Sequence, residues 1–218
     1  MLAVLQKHLS DIYRVDAGFE ITDFLITDPA LARALAYGTL VPDTDESVLL
    51  CQDEEGLALS VYLDRQMLER LDQDNPLETL HTRHLDDLCK VLEGISHFNY
   101  LVWSAQQEKS VTLLELEMQA EVDKFVTTWL LALAQEDYEF AGSLHRWLFD
   151  EIRYNPNLRR DQLERYRAAN GYASRFCHGL AKRMERDSDS GLTELRHFYR
   201  LSQQAKISHI HSQAYAGR

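Results

Sequence analysis

The chain has 218 residues, 45% hydrophobic and 27% charged, with only nine Gly and four Pro, which excludes a disordered or fibrous chain and is enough to bury a core. Charge is segregated: residues 1–150 hold ten Lys+Arg against 28 Asp+Glu and residues 151–218 hold thirteen against seven, within a net charge of −12. The longest strongly apolar stretch, 129–134, is far shorter than the roughly 20 residues of a membrane span. Residues 1–11 lack the basic-then-apolar order of a secretory signal. Cys51, Cys89 and Cys177 are dispersed in apolar patterns, so the expectation is a cytoplasmic protein without a disulfide framework or a cysteine zinc site.

Residues 18–27 (GFEITDFLIT) are aromatic and β-branched, which predicts a strand. Asp28 as cap, Pro29 in the first turn and Gly38 as terminator delimit a short helix. Residues 47–52 and 57–63 are two β-prone runs joined by Asp53 to Gly56, a β-hairpin with the glycine in the turn. Asp64 caps a brief helix through Leu71. Asn75 and Pro76 open a long helix predicted to run to about Gln107, and Thr112 with Glu115 forms a capping box for a second, to about Ala134. Further helices are expected near 136–153, 158–186 and 192–212, the last two separated by a linker at 187–191. The fold class is therefore α+β, predominantly α-helical. A small N-terminal β element (strand plus hairpin, 1–72) packs on a bundle of about five helices (73–218), built around a long antiparallel pair.

Placing residues at about 100° per step asks which ionisable groups face the core. In the first long helix Glu93 and His97 stand at i,i+4 but project with Asp86 and Lys90, as a solvated pair would. In the second, Glu117, Lys124 and Thr128 form a narrow polar stripe with Glu121 at its edge. With the link centred on Lys109, His97 and Glu121 lie at one height, roughly 18 Å from the turn. Were their faces to converge, Glu93, His97 and Glu121 would form a carboxylate and histidine site for a divalent metal. The cofactor is otherwise not specified.

The helix near 158–186 points Arg160, Arg167, Arg175, His178, Lys182 and Arg186 outward as a basic stripe. It suits pairing with the acidic half, or an anion. In the last helix Lys206 and His209 fall within the apolar arc. Either the helix leaves the core near Gln204, or Glu117, Glu121, Tyr199, Lys206 and His209 line a polar pocket for a small anionic ligand, with Glu117, Glu121 or Asp123 pairing the lysine. There is no Gly-x-Ser-x-Gly elbow or phosphate loop, and net −12 argues against nucleic acid. The leading expectation is a self-associating or partner-docking helical protein; an anion-binding protein or enzyme and a metal-binding bundle are the alternatives.

Overall fold

The computed structural model describes residues 1–36, 44–52 and 57–216. Among the described residues it contains nine α-helices, two 3-10 turns and one three-stranded sheet, an α+β architecture dominated by helix. The first helix, α1 (Leu2–Tyr13), was not read in the sequence, although Leu5, Leu9 and Ile12 bury one face at helical spacing; Arg14 at φ 51 ends it. The expected strand at 18–27 shrinks to a 3-10 turn (Ile21–Phe24) and the two-residue β1 (Leu25–Ile26). Gln6 of α1 explains this. Its amide donates to the Phe19 carbonyl (2.9 Å) and accepts from the Ile21 N–H (2.9 Å), taking backbone groups that a ladder would need.

Asp28 accepts from the N–H groups of Ala30 and Leu31 to cap α2 (Pro29–Leu35); the expected terminator Gly38 lies outside the described residues. Strands β2 (Glu46–Gln52) and β3 (Leu57–Leu63) pair antiparallel, and β1 joins β3 in parallel to give the order β1-β3-β2. The hairpin turn with Gly56 lies outside the described residues. Asp64 caps α3 (Arg65–Gln73) through the Met67 N–H.

The first long helix, α4 (Leu85–Gln106), begins about ten residues later than expected. Asn75 accepts from the Leu77 N–H to close a turn. Gln135 then pins the following segment, donating to the Pro76 carbonyl and accepting from the Leu80 N–H. Helix α5 (Leu113–Ala134) starts at Thr112, whose hydroxyl accepts from the Glu115 N–H. Helices α6 (Tyr138–Phe149), α7 (Arg160–Arg186), α8 (Ser188–Arg200) and α9 (Gln203–Ala216) complete the chain. The supposed linker at 187–191 is the cap and first turn of α8. Asp187 accepts from the N–H groups of Asp189 and Ser190, and Gly191 admits a reversal so tight that a Cβ there would lie 3.1 Å from the Met184 Cα. The single last helix is broken at Leu201 and Ser202, where the Gln203 N–H turns to Glu115 Oε2 (3.0 Å).

Helices α4 and α5 are antiparallel: Tyr100 meets Glu115, Ser96 meets Asp123 and Glu93 meets Lys124. Between α4, α6 and α7, α5 is buried on all sides from Glu115 to Trp129. Instead of one apolar arc it carries Glu115, Glu117, Gln119, Glu121, Asp123 and Lys124 into the interior. Buried charge is tolerated where it is paired, so the partners of α5 define the polar architecture of the molecule.

Candidate metal centre

Three elements bring the site together. Glu93 and His97 are one turn apart on α4, so both face the same neighbour. Gly94 lies between them, and a Cβ built there would be 3.2 Å from Val61 Cγ1, 3.1 Å from Leu63 Cδ2 and 3.4 Å from Glu46 Cγ. The missing side chain lets the sheet lie against α4 and delivers Glu46, the first residue of β2, beside His97. Helix α5 supplies Glu117 from the opposite side.

His97, 6% exposed, has Nδ1 3.6 Å from Glu46 Oε1 and Nε2 3.6 Å from Glu117 Oε2. Both gaps exceed a hydrogen bond. Glu46 Oε1 and His97 Nε2 are buried without a hydrogen-bond partner, and ligand-capable atoms of Glu46, Glu93 and His97 lie within 4.8 Å of one another. Glu117 leans on Arg165 at 3.4 Å, and Lys124 donates to Glu121 (2.7 Å) and Glu93 (3.0 Å).

The electrostatics follow from that pairing. Burial, with the charges of Glu93 and Glu117, pushes Glu46 up to about 7 against the pull of His97. Burial alone would lower His97, but Glu117 and Glu46 hold its imidazole well above its ordinary range. Burial likewise opposes ionisation of Glu93, yet the Lys124 ammonium and His97 keep it below the usual carboxylate value. The carboxylates of Glu46, Glu93, Glu117 and Glu121 outnumber the cations set against them, Lys124, Arg165 and the His97 imidazolium, with Lys90 acting on Glu93 from further off. The cluster keeps an excess of carboxylate, and a divalent cation entering it would displace the imidazole proton and take its place as counter-charge. The cluster borders a cleft of about 610 Å³ lined by Glu46, Glu93, Glu121, Lys124, Tyr154 and Tyr166 among others.

The expected solvated pair of Glu93 and His97 is therefore corrected. His97 is buried and Glu93 half-buried, because the sheet covers the face that the angular reading assigned to water. The expected height match holds, since Ser96 meets Asp123 and Glu93 meets Lys124, but at that height the face His97 presents is turned to Glu117 and not to Glu121. Glu121 belongs to Lys124, and Glu46 takes its place beside Glu93 and His97. Glu46 shares its strand face with Val48, a parity the hairpin reading could have used had it begun one residue earlier. Arg165 was passed over for its outward neighbours.

Of the five residues expected to line one anion pocket, Tyr199 and Lys206 both pack on the Tyr100 ring and Lys206 and His209 both approach Phe198, while Glu117 and Glu121 pair elsewhere. Glu117 and Glu121 border the site just described. Tyr199 stacks on Tyr13 (4.0 Å between ring centres). Lys206 is fully buried, not frayed into water, because α9 restarts at Gln203; its ammonium donates to Gln119 Oε1 (2.5 Å) and lies over the Tyr100 and Phe198 rings. None of the three carboxylates expected to pair with it does so. Asp123 instead accepts from Tyr13, Ser96 and Gln119. His209, half-buried and one turn on from Lys206, contacts Glu194 and Gln213. The basic stripe is exposed along α7: Arg160 pairs with Glu164 (2.8 Å), Arg167 covers Tyr154, and Lys182 contacts His178. Among the described residues Arg175, Lys182 and Arg186 have no carboxylate partner.

No helix among the described residues is long and apolar enough to cross a membrane. Comparison with models of protein families, with curated proteins and with solved structures finds no match for this chain.

Proposed function

We propose that the protein binds a divalent first-row metal ion, Zn²⁺ or Mn²⁺, through Glu46, Glu93 and His97 at the base of the cleft. The observation that carries this reading is the buried His97 ring with Nδ1 3.6 Å from the unpartnered Glu46 Oε1, and ligand-capable atoms of Glu46, Glu93 and His97 within 4.8 Å of one another. Ligand atoms bound at 2.0–2.2 Å to a tetrahedral ion lie about 3.4 Å apart, so the Glu46 to His97 gap has the size of a shared ion and not of a hydrogen bond. A small rotation of Glu93 closes the remaining distance. Glu117, itself held by Arg165, stands 3.6 Å from the other ring nitrogen and would fix the imidazole on closing to hydrogen-bond distance, as carboxylates behind metal-bound histidines do. Two carboxylates and one imidazole suit a borderline ion, and three protein ligands leave it an open position toward the cleft.

Calorimetric titration of the purified chain with Zn²⁺ should give one site. His97→Ala and Glu46→Gln should each weaken it by about 100-fold or more, and Glu117→Gln by about 10-fold or more, while Glu121→Gln has little effect. Absence of stoichiometric binding, or binding that persists in a folded His97→Ala, overturns the assignment. A second reading, docking to an acidic partner or self-association, is supported by Arg175, Lys182 and Arg186 standing exposed without carboxylate partners. It requires an association that weakens between about 50 and 500 mM salt.

A further inference from the structure

We propose that the cleft takes a small oxyanion, a phosphate or carboxylate group bound on the open side of the cation, with Tyr154, Tyr166 and Arg153 as its donors. The inference rests on the metal reading above. Most cations lining this cleft are engaged: Lys90 bridges Asp45 and Asp86, and Lys124 bridges Glu93 and Glu121. Arg153 is exposed and, among the described residues, makes no ion pair or hydrogen bond; the hydroxyls of Tyr154 and Tyr166 likewise donate to nothing. Unspent donors converging on one cavity are the usual means by which a pocket orients a polar ligand.

Tyr166 is also within electrostatic reach of the ligand set. Burial, with the charges of Glu117, Glu93 and Glu46, holds its phenol far above the ordinary range, so it remains a donor at neutral pH. Without a cation the same carboxylates repel an anion. A bound cation offsets them at the base of the cleft, and the guanidinium of Arg153 adds attraction. Binding is thus ordered, cation first and oxyanion second. The anionic ligand expected from the sequence is relocated from α9 to this cleft.

The test uses the full chain with Mn²⁺, read by the water-proton relaxation that the bound ion produces. At saturating Mn²⁺, inorganic phosphate in one arm and acetate in the other should displace metal-bound water and lower the enhancement. Whichever acts at lower concentration identifies the oxyanion class. Arg153→Gln and Tyr166→Phe should each raise the required concentration by about 10-fold, the worth of one charge-assisted or buried hydrogen bond. If Mn²⁺ binds but neither anion changes the relaxation, the oxyanion site is wrong and the metal reading stands. If Mn²⁺ does not bind, the reading beneath it falls. Phosphate binding that is equally tight without Mn²⁺, or unchanged in both variants, places the anion elsewhere and also overturns the proposal.

Discussion

At the scale of single residues, the feature with the clearest energetic consequence is Lys206. Burial, reinforced by Lys109 and opposed by Glu115 and Asp123, lowers its ammonium to about 7. A base whose folded value lies below its unfolded one binds more protons unfolded, so its destabilising effect is full below about pH 7 and disappears as pH rises toward about 10.5. Across that window the native protein should gain up to about 1.4 kcal/mol per pH unit relative to Lys206→Met, which cannot titrate. Urea unfolding of both proteins at pH 6, 7.5 and 9 measures this, and parallel stability curves would show that Lys206 is solvated. The sequence located this lysine in an apolar arc, which was correct, but not its partner. Gln119 reaches it only because α9 restarts after Leu201, a break set by the backbone contact of Gln203 with Glu115. Long-range contacts of that kind leave no local periodicity to read.

Elements were legible where a cap and a period agree. Asp28, Asp64 and Thr112 each accept from the N–H groups of the helix they open, and the hairpin of β2 with β3 has the expected register-forming runs. They failed where tertiary contacts claimed the backbone, as Gln6 does at 19–21 and Gln135 at 76–80. The candidate site failed for a related reason: which face of α4 is buried depends on the sheet that packs there, and Gly94 was the one local sign of it. A larger side chain at this position tests the arrangement. Gly94→Val must displace Val61, Leu63 or Glu46, all within 3.4 Å of the added Cβ, and should cost on the order of 1–3 kcal/mol by overpacking. Because Glu46 is among the displaced groups, Zn²⁺ affinity should fall along with the urea midpoint. A Gly94→Val protein with native stability and native Zn²⁺ affinity would mean that the sheet does not hold Glu46 at α4.

For the molecule as a whole, two kinds of electrostatics make opposite predictions about salt. The α7 stripe and the acidic N-terminal surface are exposed, so interactions between them are screened over about 8–10 Å at physiological ionic strength. The Glu46, Glu93 and His97 cluster lies beneath β2 and α4, where screening is weak. An ion bound there at 100 times its dissociation constant adds about 2.7 kcal/mol, which for a chain of this length raises the midpoint by roughly 5–10 °C. That rise with Zn²⁺ should persist from about 50 to 500 mM salt and vanish in His97→Ala, whereas any association through α7 should disappear over the same range. A Zn²⁺ shift that collapses with salt would instead place the ion on the acidic surface, where its gain reflects the net charge of −12 and not a built site. Thermal unfolding with and without Zn²⁺ at the two salt concentrations, with mass measured by light scattering in parallel, therefore separates the buried centre from the surface in one experiment.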